Sequence, residues 1–216
     1  MEEIDTLIAR ADACLAADHT REAMQHYQQA LDLHPQHAHA LHRMGIGCFR
    51  LQQTERSRQY LDQALTVAPA GADIWEHRGI LAAAMGDRVA AEAFYHRALG
   101  LTGGTASLYR NLADCLRVSG RLAEARQHYT RALDLEPGLH HAVRALARIS
   151  TELEQVPEAA DYWLHACWLD SIEPSDAVEL FTALSKAERH AQIDTVLAQL
   201  ALLKMEWLMR LTRHAD

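Results

Sequence analysis

Apolar and polar residues alternate along most of the chain with the spacing of amphipathic helices. In SLYRNLADCLRV (107–118) the apolar side chains recur every three or four residues, and EARQHYTRALDL (124–135) shows the same period. This spacing places them on one face of a helix. Short polar or glycine-containing turns interrupt the pattern at AADHT (16–20), LQQTE (51–55), MGDR (85–88), VSGR (118–121) and LEQV (153–156). The pattern predicts helices of about a dozen residues joined by tight turns.

The whole pattern repeats every 34 residues, as four turn-forming residues show: Pro35, Pro69, Gly103 and Pro137. Two sets of small residues keep the same spacing, at Ala11, Gly45, Gly79, Ala113 and Ala147 and at Ala23, Ser57, Ala91, Ala125 and Ala159. Two further sets are Tyr27, Leu61, Tyr95, Tyr129 and Trp163, and Ala30, Ala64, Ala98, Ala132 and Ala166. A period of this length predicts one antiparallel helix pair per repeat. The small residues then mark the closest approach of the helices, and the prolines end each second helix.

These residues resemble a known family. The segment LYRNLADCLRVSGRLAEARQHYTRALDLEP (108–137) is similar to a tetratricopeptide repeat (TPR), whose signature positions carry Tyr109, Leu112, Ala113, Gly120, Ala125, Tyr129, Ala132 and Pro137. The resemblance covers five units, at about 4–37, 38–71, 72–105, 106–139 and 140–173, with a degenerate sixth repeat and capping helix at 174–216. It implies a single all-α domain over 1–216. The expected architecture is a right-handed superhelical solenoid of antiparallel helix pairs, whose first helices line a concave groove.

The end of the chain predicts one long helix, because no proline or glycine interrupts 190–213. Val196, Leu200, Leu203, Trp207 and Leu211 share one face, which suits a cap on the last repeat. Leu202, Met205 and Met209 form a second apolar stripe. That stripe has two readings: a wide capping contact, or a surface for a partner or a second copy. The residues of possible self-association are Leu202, Met205, Trp207 and Met209.

Composition narrows the class of protein. The formal net charge is −8, which argues against a general nucleic-acid binder because such domains are strongly basic. The N-terminal segment carries acids where a secretory signal carries lysines, and no long uncharged apolar run predicts a membrane span. The four cysteines, Cys14, Cys48, Cys115 and Cys167, form no CxxC pair. We therefore expect a cytoplasmic protein with reduced, mostly buried thiols.

The segment HPQHAHALHRMG (34–45) contains four histidines, at His34, His37, His39 and His42. His39 and His42 lie three residues apart and share the helix face expected to line the groove. His77 occupies the equivalent helix of the next repeat. Three imidazoles could bind Zn²⁺, yet no acid or thiol completes a ligand set, and we expect no metal or cofactor here. The alternatives are a solvated repeat junction and a contact that makes partner binding sensitive to pH.

The groove-facing positions of the first helices collect basic residues in an acidic chain. The predicted partner-binding residues are His39, His42, Arg43, Ile46, Phe49, Arg50, His77, Arg110, Asn111, Arg117, Arg144 and Arg148. Guanidinium groups bind carboxylates through paired hydrogen bonds, which favours an acidic or carboxylate-bearing peptide of a partner protein. The alternative is that these arginines pair with acids of the groove wall, at Asp73, Glu76, Asp114 and Glu152.

No nucleophile or metalloprotease motif is present, so the sequence predicts a non-enzymatic scaffold or adaptor. Two alternatives remain open: a secretion-type chaperone that shields a client, and a scaffold that self-assembles through the final helix. A chaperone predicts an apolar groove, whereas this groove is charged, and the charge favours the adaptor.

Overall fold

The computed structural model describes residues 2–169, 174–195 and 197–198. In that part of the chain eleven helices have defined bounds and no strand occurs. The helices are α1 (Glu2–Ala16), α2 (Thr20–Leu33), α3 (Ala38–Arg50), α4 (Thr54–Val67), α5 (Ala72–Ala84), α6 (Arg88–Thr102), α7 (Ala106–Val118), α8 (Leu122–Leu135), α9 (His140–Glu152), α10 (Val156–Trp168) and α11 (Pro174–Lys186). Each of the five predicted full repeats thus contains two helices, and the all-α fold is confirmed.

The chain divides into two compact units, Met1–Ala125 and Arg126–Asp216. In the first unit the helices pack as successive pairs, α1 with α2, α3 with α4 and α5 with α6; in the second, α9 packs with α10 and α10 with α11. Each unit has a core of the apolar faces of its own helices. The single domain expected over 1–216 stays a prediction.

The residues that recur every 34 positions form the framework of these cores. The alanines of the set Ala30 to Ala166 are all fully buried, and the large side chains from Tyr27 to Trp163 are at most 2% exposed. The small residues lie against these large ones. A Cβ atom added at Gly79 would stand 2.5 Å from Cε1 of the Tyr95 ring. The prediction that small residues mark the closest helix approach is therefore confirmed.

The turn between the two helices of a repeat has the same geometry each time. Six residues, again 34 apart, have positive φ: Asp18, Gln52, Gly86, Gly120, Glu154 and Glu188. The next residue donates its N–H to a carbonyl five residues earlier, for example His19 to Cys14 at 2.8 Å and Arg121 to Leu116 at 3.0 Å. This is a left-handed helix cap, for which glycine is the least strained residue. Only two repeats use glycine, so the surrounding packing imposes the conformation on the other four.

Two sequence predictions concern the end of the chain. The self-association residues Leu202, Met205, Trp207 and Met209, and most of the predicted capping helix, lie outside the described residues. No helix among the described residues is both long enough and apolar enough to cross a membrane.

Candidate functional site

The candidate site lies on the first helices of the repeats in unit 1. There α3 contacts α5 and α5 contacts α7, so that polar side chains of successive repeats meet. We call this surface, carried by α1, α3, α5 and α7, the first-helix face. Side-chain contacts join α1 to α3, α3 to α5 and α5 to α7, and three of the acids that make them are Asp12, Asp73 and Glu76.

Asp12 is the centre of the first cluster on this face. The Tyr27 hydroxyl donates to Asp12 Oδ1 at 2.5 Å, and His39 Nε2 lies 3.1 Å from both carboxylate oxygens. Arg43 Nε stands 3.6 Å from Oδ1 as an ion pair without hydrogen-bond geometry. Burial acts to raise the pKa of Asp12, but the hydrogen bonds from Tyr27 and His39 and the nearby cations outweigh it and lower the pKa. Asp12 therefore already contacts two of the predicted partner-binding residues, His39 and Arg43.

His42 and His77 form the second cluster, between α3 and α5. His42 Nε2 lies 3.2 Å from His77 Nδ1, and His42 Nδ1 lies 3.2 Å from Asp73 Oδ2. His77 Nδ1 also lies 2.8 Å from the Asp73 carbonyl oxygen. In a neutral arrangement His42 donates from Nδ1 to the carboxylate, and the single Nδ1–H of His77 is shared between the Asp73 carbonyl oxygen and His42 Nε2. Burial, the positive charge on His77 and, more weakly, Arg43 lower the pKa of His42 to about 4, against the attraction of Asp73.

The remaining histidines of 34–45 have other roles. The His37 ring caps α3 by accepting from the Ala40 N–H at 3.2 Å, and the His34 and His37 rings meet edge to face at 5.9 Å. The pKa of His37 is lowered, first by burial and then by its neighbouring histidines. Within the described residues, the histidines of 34–45 and His77 are thus divided among separate partners. These contacts are those of a repeat junction, and a contact of the histidines with a partner stays a prediction.

A third cluster joins α5 and α7 around Asn111. Its Nδ2 donates to Glu76 Oε1 at 2.9 Å, and its Oδ1 accepts from Arg110 at 2.9 Å. Ser107 also donates to Glu76, at 3.0 Å. The Nε–H of Arg110 is buried and has no hydrogen-bond partner among the described residues. Asn111 lines a 280 Å³ pocket with Ile80, Ala83, Arg88, Tyr95, Asp114, Cys115 and Val118. Arg117 is exposed on the same helix.

The other predicted contacts of α3 are largely committed to the fold. Ile46 is only 9% exposed and belongs to the core, and Phe49 packs against that core. Both side chains therefore contribute to the core, and their place among the partner-binding residues stays a prediction. Arg50 lies 3.3 Å from Asp18 Oδ1 and 3.4 Å from the Leu15 carbonyl oxygen.

In unit 2, Arg144 and Arg148 both bind Asp176 on α11. Arg148 donates to Asp176 Oδ1 at 2.6 Å. The Arg144 Nε lies 2.9 Å from Oδ2, as an ion pair that lacks hydrogen-bond angles. Asp176 is 1% exposed. The two arginines predicted to bind a partner thus bridge α9 to α11. Arg110 and Arg144 occupy the same repeat position but belong to different units.

Sequence reasoning missed Asp12, Asp18 and Asp176, and a signal for one of them existed. The positions one to four repeats before Asp176 hold Ala142, Leu108, Ile74 and Ala40, all buried apolar residues. A carboxylate at such a position needs a charged partner nearby, because burying it alone is costly. Arg144 and Arg148, two helices earlier on α9, supply that partner.

The pH dependence of stability tests the His42 cluster. An unfolded histidine has a pKa of about 6.5, and that of His42 in the fold is about 4. Between these values the unfolded chain takes up a proton that the folded chain refuses, so stability falls as pH falls. Lowering the pH from about 7.5 to about 4.5 should cost roughly 2–3 kcal/mol through this group. Urea denaturation of native and His42→Gln protein at both pH values measures it, since the variant should lose less stability.

His96→Gln is the matched control, because His96 is 54% exposed on α6. Equal acid sensitivity in the native protein and in both variants would rule out His42 as the source.

Comparison with known proteins identifies the class. Two models of the tetratricopeptide repeat match the chain, one at residues 106–139 and one at 42–104. No curated protein matches it by sequence. The helix pairs, the 34-residue period and these matches define a helical-repeat protein. The chain belongs to the tetratricopeptide repeat family.

Solved structures share the fold. PilW, a type IV pilus biogenesis factor, is 19% identical with a TM-score of 0.75 over 91% of each chain. PilF of Pseudomonas aeruginosa is 20% identical with a TM-score of 0.71, over 85% of this chain and 82% of its own. YrrB, described as a TPR protein with an unusual peptide-binding site, is 18% identical with a TM-score of 0.63, over 83% of this chain and 90% of its own. Proteins of this family bind other proteins, and this chain is a protein–protein interaction scaffold of that kind.

Proposed function

We propose that the protein is a non-enzymatic adaptor whose first-helix face in unit 1 binds an acidic or carboxylate-bearing segment of a partner protein. The observation that carries the proposal is Arg110, whose buried Nε–H has no acceptor among the residues that the structure describes. A buried donor without a partner is costly, and a carboxylate from a bound chain would satisfy it. The exposed Arg117, two turns further along α7, adds positive charge for the same segment.

The neighbourhood of Arg110 supports binding of an extended peptide. Arg110 donates to Asn111, which lines the 280 Å³ pocket. Ile80 and Val118 give that pocket apolar walls, and Asp114 gives it an acceptor for a peptide N–H. A few polar groups within an apolar surround is the usual composition of a peptide site. The likeness to YrrB supports peptide binding by this fold.

The distribution of charge favours an adaptor over a chaperone. A chaperone for aggregation-prone clients needs exposed apolar surface, but Ile46 is buried and Phe49 packs inward. The first-helix face instead presents acids in contact with basic or polar side chains, as at Asp12, Asp73 and Glu76. Such a surface selects a partner by complementary charge rather than by non-specific hydrophobic contact.

The test compares two variants of equal charge change. Arg110→Glu/Arg117→Glu alters the face, whereas Arg58→Glu/Arg131→Glu alters exposed arginines of α4 and α8, which are 45% and 70% exposed. Each immobilised protein is used to capture partners from a native lysate, which quantitative mass spectrometry identifies. We expect a partner held by the native protein and the α4/α8 variant and lost by the face variant. Arg144 and Arg148 are left unchanged because they bind Asp176.

A synthetic peptide from the captured partner then gives the affinity by calorimetry. Arg110→Glu should weaken it at least tenfold, because a favourable charged hydrogen bond becomes a repulsion. Neutralising the peptide's acids should have a similar effect. Partners that bind both double variants equally would place the interaction elsewhere and overturn the proposal.

A further inference from the structure

The first repeat carries three metal-ligand side chains beside its inter-helix turn. Cys14 lies in the last turn of α1 and is partly exposed. Glu22 and His26 stand one turn apart on α2. One atom from each, a thiol sulfur, a carboxylate oxygen and an imidazole nitrogen, all lie within 4.8 Å of one another. The turn holds this arrangement, because the His19 N–H donates to the Cys14 carbonyl at 2.8 Å. The fold therefore assembles the three groups before any ligand binds.

The chemistry of this set suits Zn²⁺. Thiolate, imidazole and carboxylate are the three side-chain ligand types that zinc uses. Ligand atoms placed tetrahedrally around zinc stand about 3–4 Å apart, so small side-chain rotations from the present separations close the site. His19 supplies a fourth group, since its Nδ1 lies 3.8 Å from Glu22 Oε2. His26 Nδ1 lies 3.3 Å from Gln29 Oε1, a contact that would leave Nε2 as the coordinating nitrogen, as in many zinc sites.

Repeat packing does not require these residues. The equivalent positions of the next repeat hold Cys48, Arg56 and Tyr60, and the three later repeats hold Ala82, Ala90 and Phe94, then Leu116, Glu124 and His128, then Ser150, Glu158 and Tyr162. Only the first of the five repeats has a metal-binding side chain at all three positions, one of which is a thiol. Cys14 is also partly exposed, whereas Cys48 is fully buried and burial raises the pKa of its thiol.

We propose that Cys14, Glu22 and His26, with His19, form a Zn²⁺ site that links α1 to α2. This differs from the sequence expectation of no metal, and it is independent of the proposed partner binding. The ligands come from both helices of the first repeat and from the turn between them. Metal bound across its two helices stabilises the folded form, because the unfolded chain does not present the assembled ligand set.

Titration with metal alone tests the site in the full-length, reduced protein. Calorimetry with Zn²⁺ should show one ion per chain, bound at least tenfold more weakly by Glu22→Gln and His26→Gln. Cobalt(II) should give a thiolate-to-metal charge-transfer absorption in the native protein and none in Cys14→Ser. The matched controls are Cys48→Ser, which removes the thiol at the same position of the next repeat, and His34→Gln, which removes another histidine of the first repeat.

Three outcomes would overturn the proposal: no zinc binding, equal binding by the site and control variants, or a native cobalt spectrum without the thiolate band. The cobalt spectrum tests the proposal even if a variant folds poorly, because it is measured on the native protein. Circular dichroism shows whether each variant is folded. Zinc should also raise the urea midpoint of the native protein and leave that of Cys14→Ser unchanged.

Discussion

Replacing Trp163 by alanine is expected to lower the free energy of unfolding by about 3–5 kcal/mol. The indole is fully buried in the core of unit 2, and its Nε1–H donates to Thr151 Oγ1 at 3.2 Å. The substitution removes a large apolar side chain and leaves a cavity against α9. It also removes the indole N–H that donates to the Thr151 hydroxyl. Urea denaturation followed by far-ultraviolet circular dichroism measures the loss.

Trp168→Ala is the control on the same helix. Trp168 is 59% exposed near the end of α10, so the same change of residue should cost less than about 1 kcal/mol. Thr151→Val separates the hydrogen bond from the packing and should cost about 1 kcal/mol. Similar losses for the two tryptophan variants would mean that the position of Trp163 in the repeat does not determine its role.

The repeat framework could be predicted from the sequence because it depends on residue size at a fixed period. Alanine or glycine must face Tyr27, Tyr95 or Trp163 wherever two helices approach closely, and that requirement recurs every 34 residues. The left-handed turn residues are less visible. Gly86 and Gly120 signal them, but the other repeats place aspartate, glutamine or glutamate there.

The ionic contacts of the first-helix face were harder to predict because their partners are not one period apart. Asp12 meets His39 after 27 residues, and His42 meets His77 after 35. One of these separations is seven residues shorter than the 34-residue period, and the other is one residue longer. Comparing residues only at the same repeat position therefore overlooks Asp12, whose partner His39 lies 27 residues away. The signal for Asp176 was a charge at an otherwise apolar position.

Removing Asp176 is the second change with a large expected effect. Asp176→Ala should lower the free energy of unfolding by about 3 kcal/mol, because it leaves two guanidinium groups together without their shared acceptor. Arg144 and Arg148 are 23% and 46% exposed, so water limits the loss to the lower end of the range for a buried pair. Chemical denaturation of unit 2 in the full-length protein measures it.

Two further variants test the cause of that loss. Asp161→Ala removes an exposed partner of Arg189 in the same unit and should cost less than about 1 kcal/mol. Asp176→Leu combined with Arg144→Leu and Arg148→Met replaces the ionic cluster by apolar residues, as at Leu108 in the fourth repeat, and should restore most of the stability. Equal losses for the two aspartates would show that Arg144 and Arg148 do not depend on Asp176. They would then again be candidates for binding a partner's carboxylate, and a groove variant should include them.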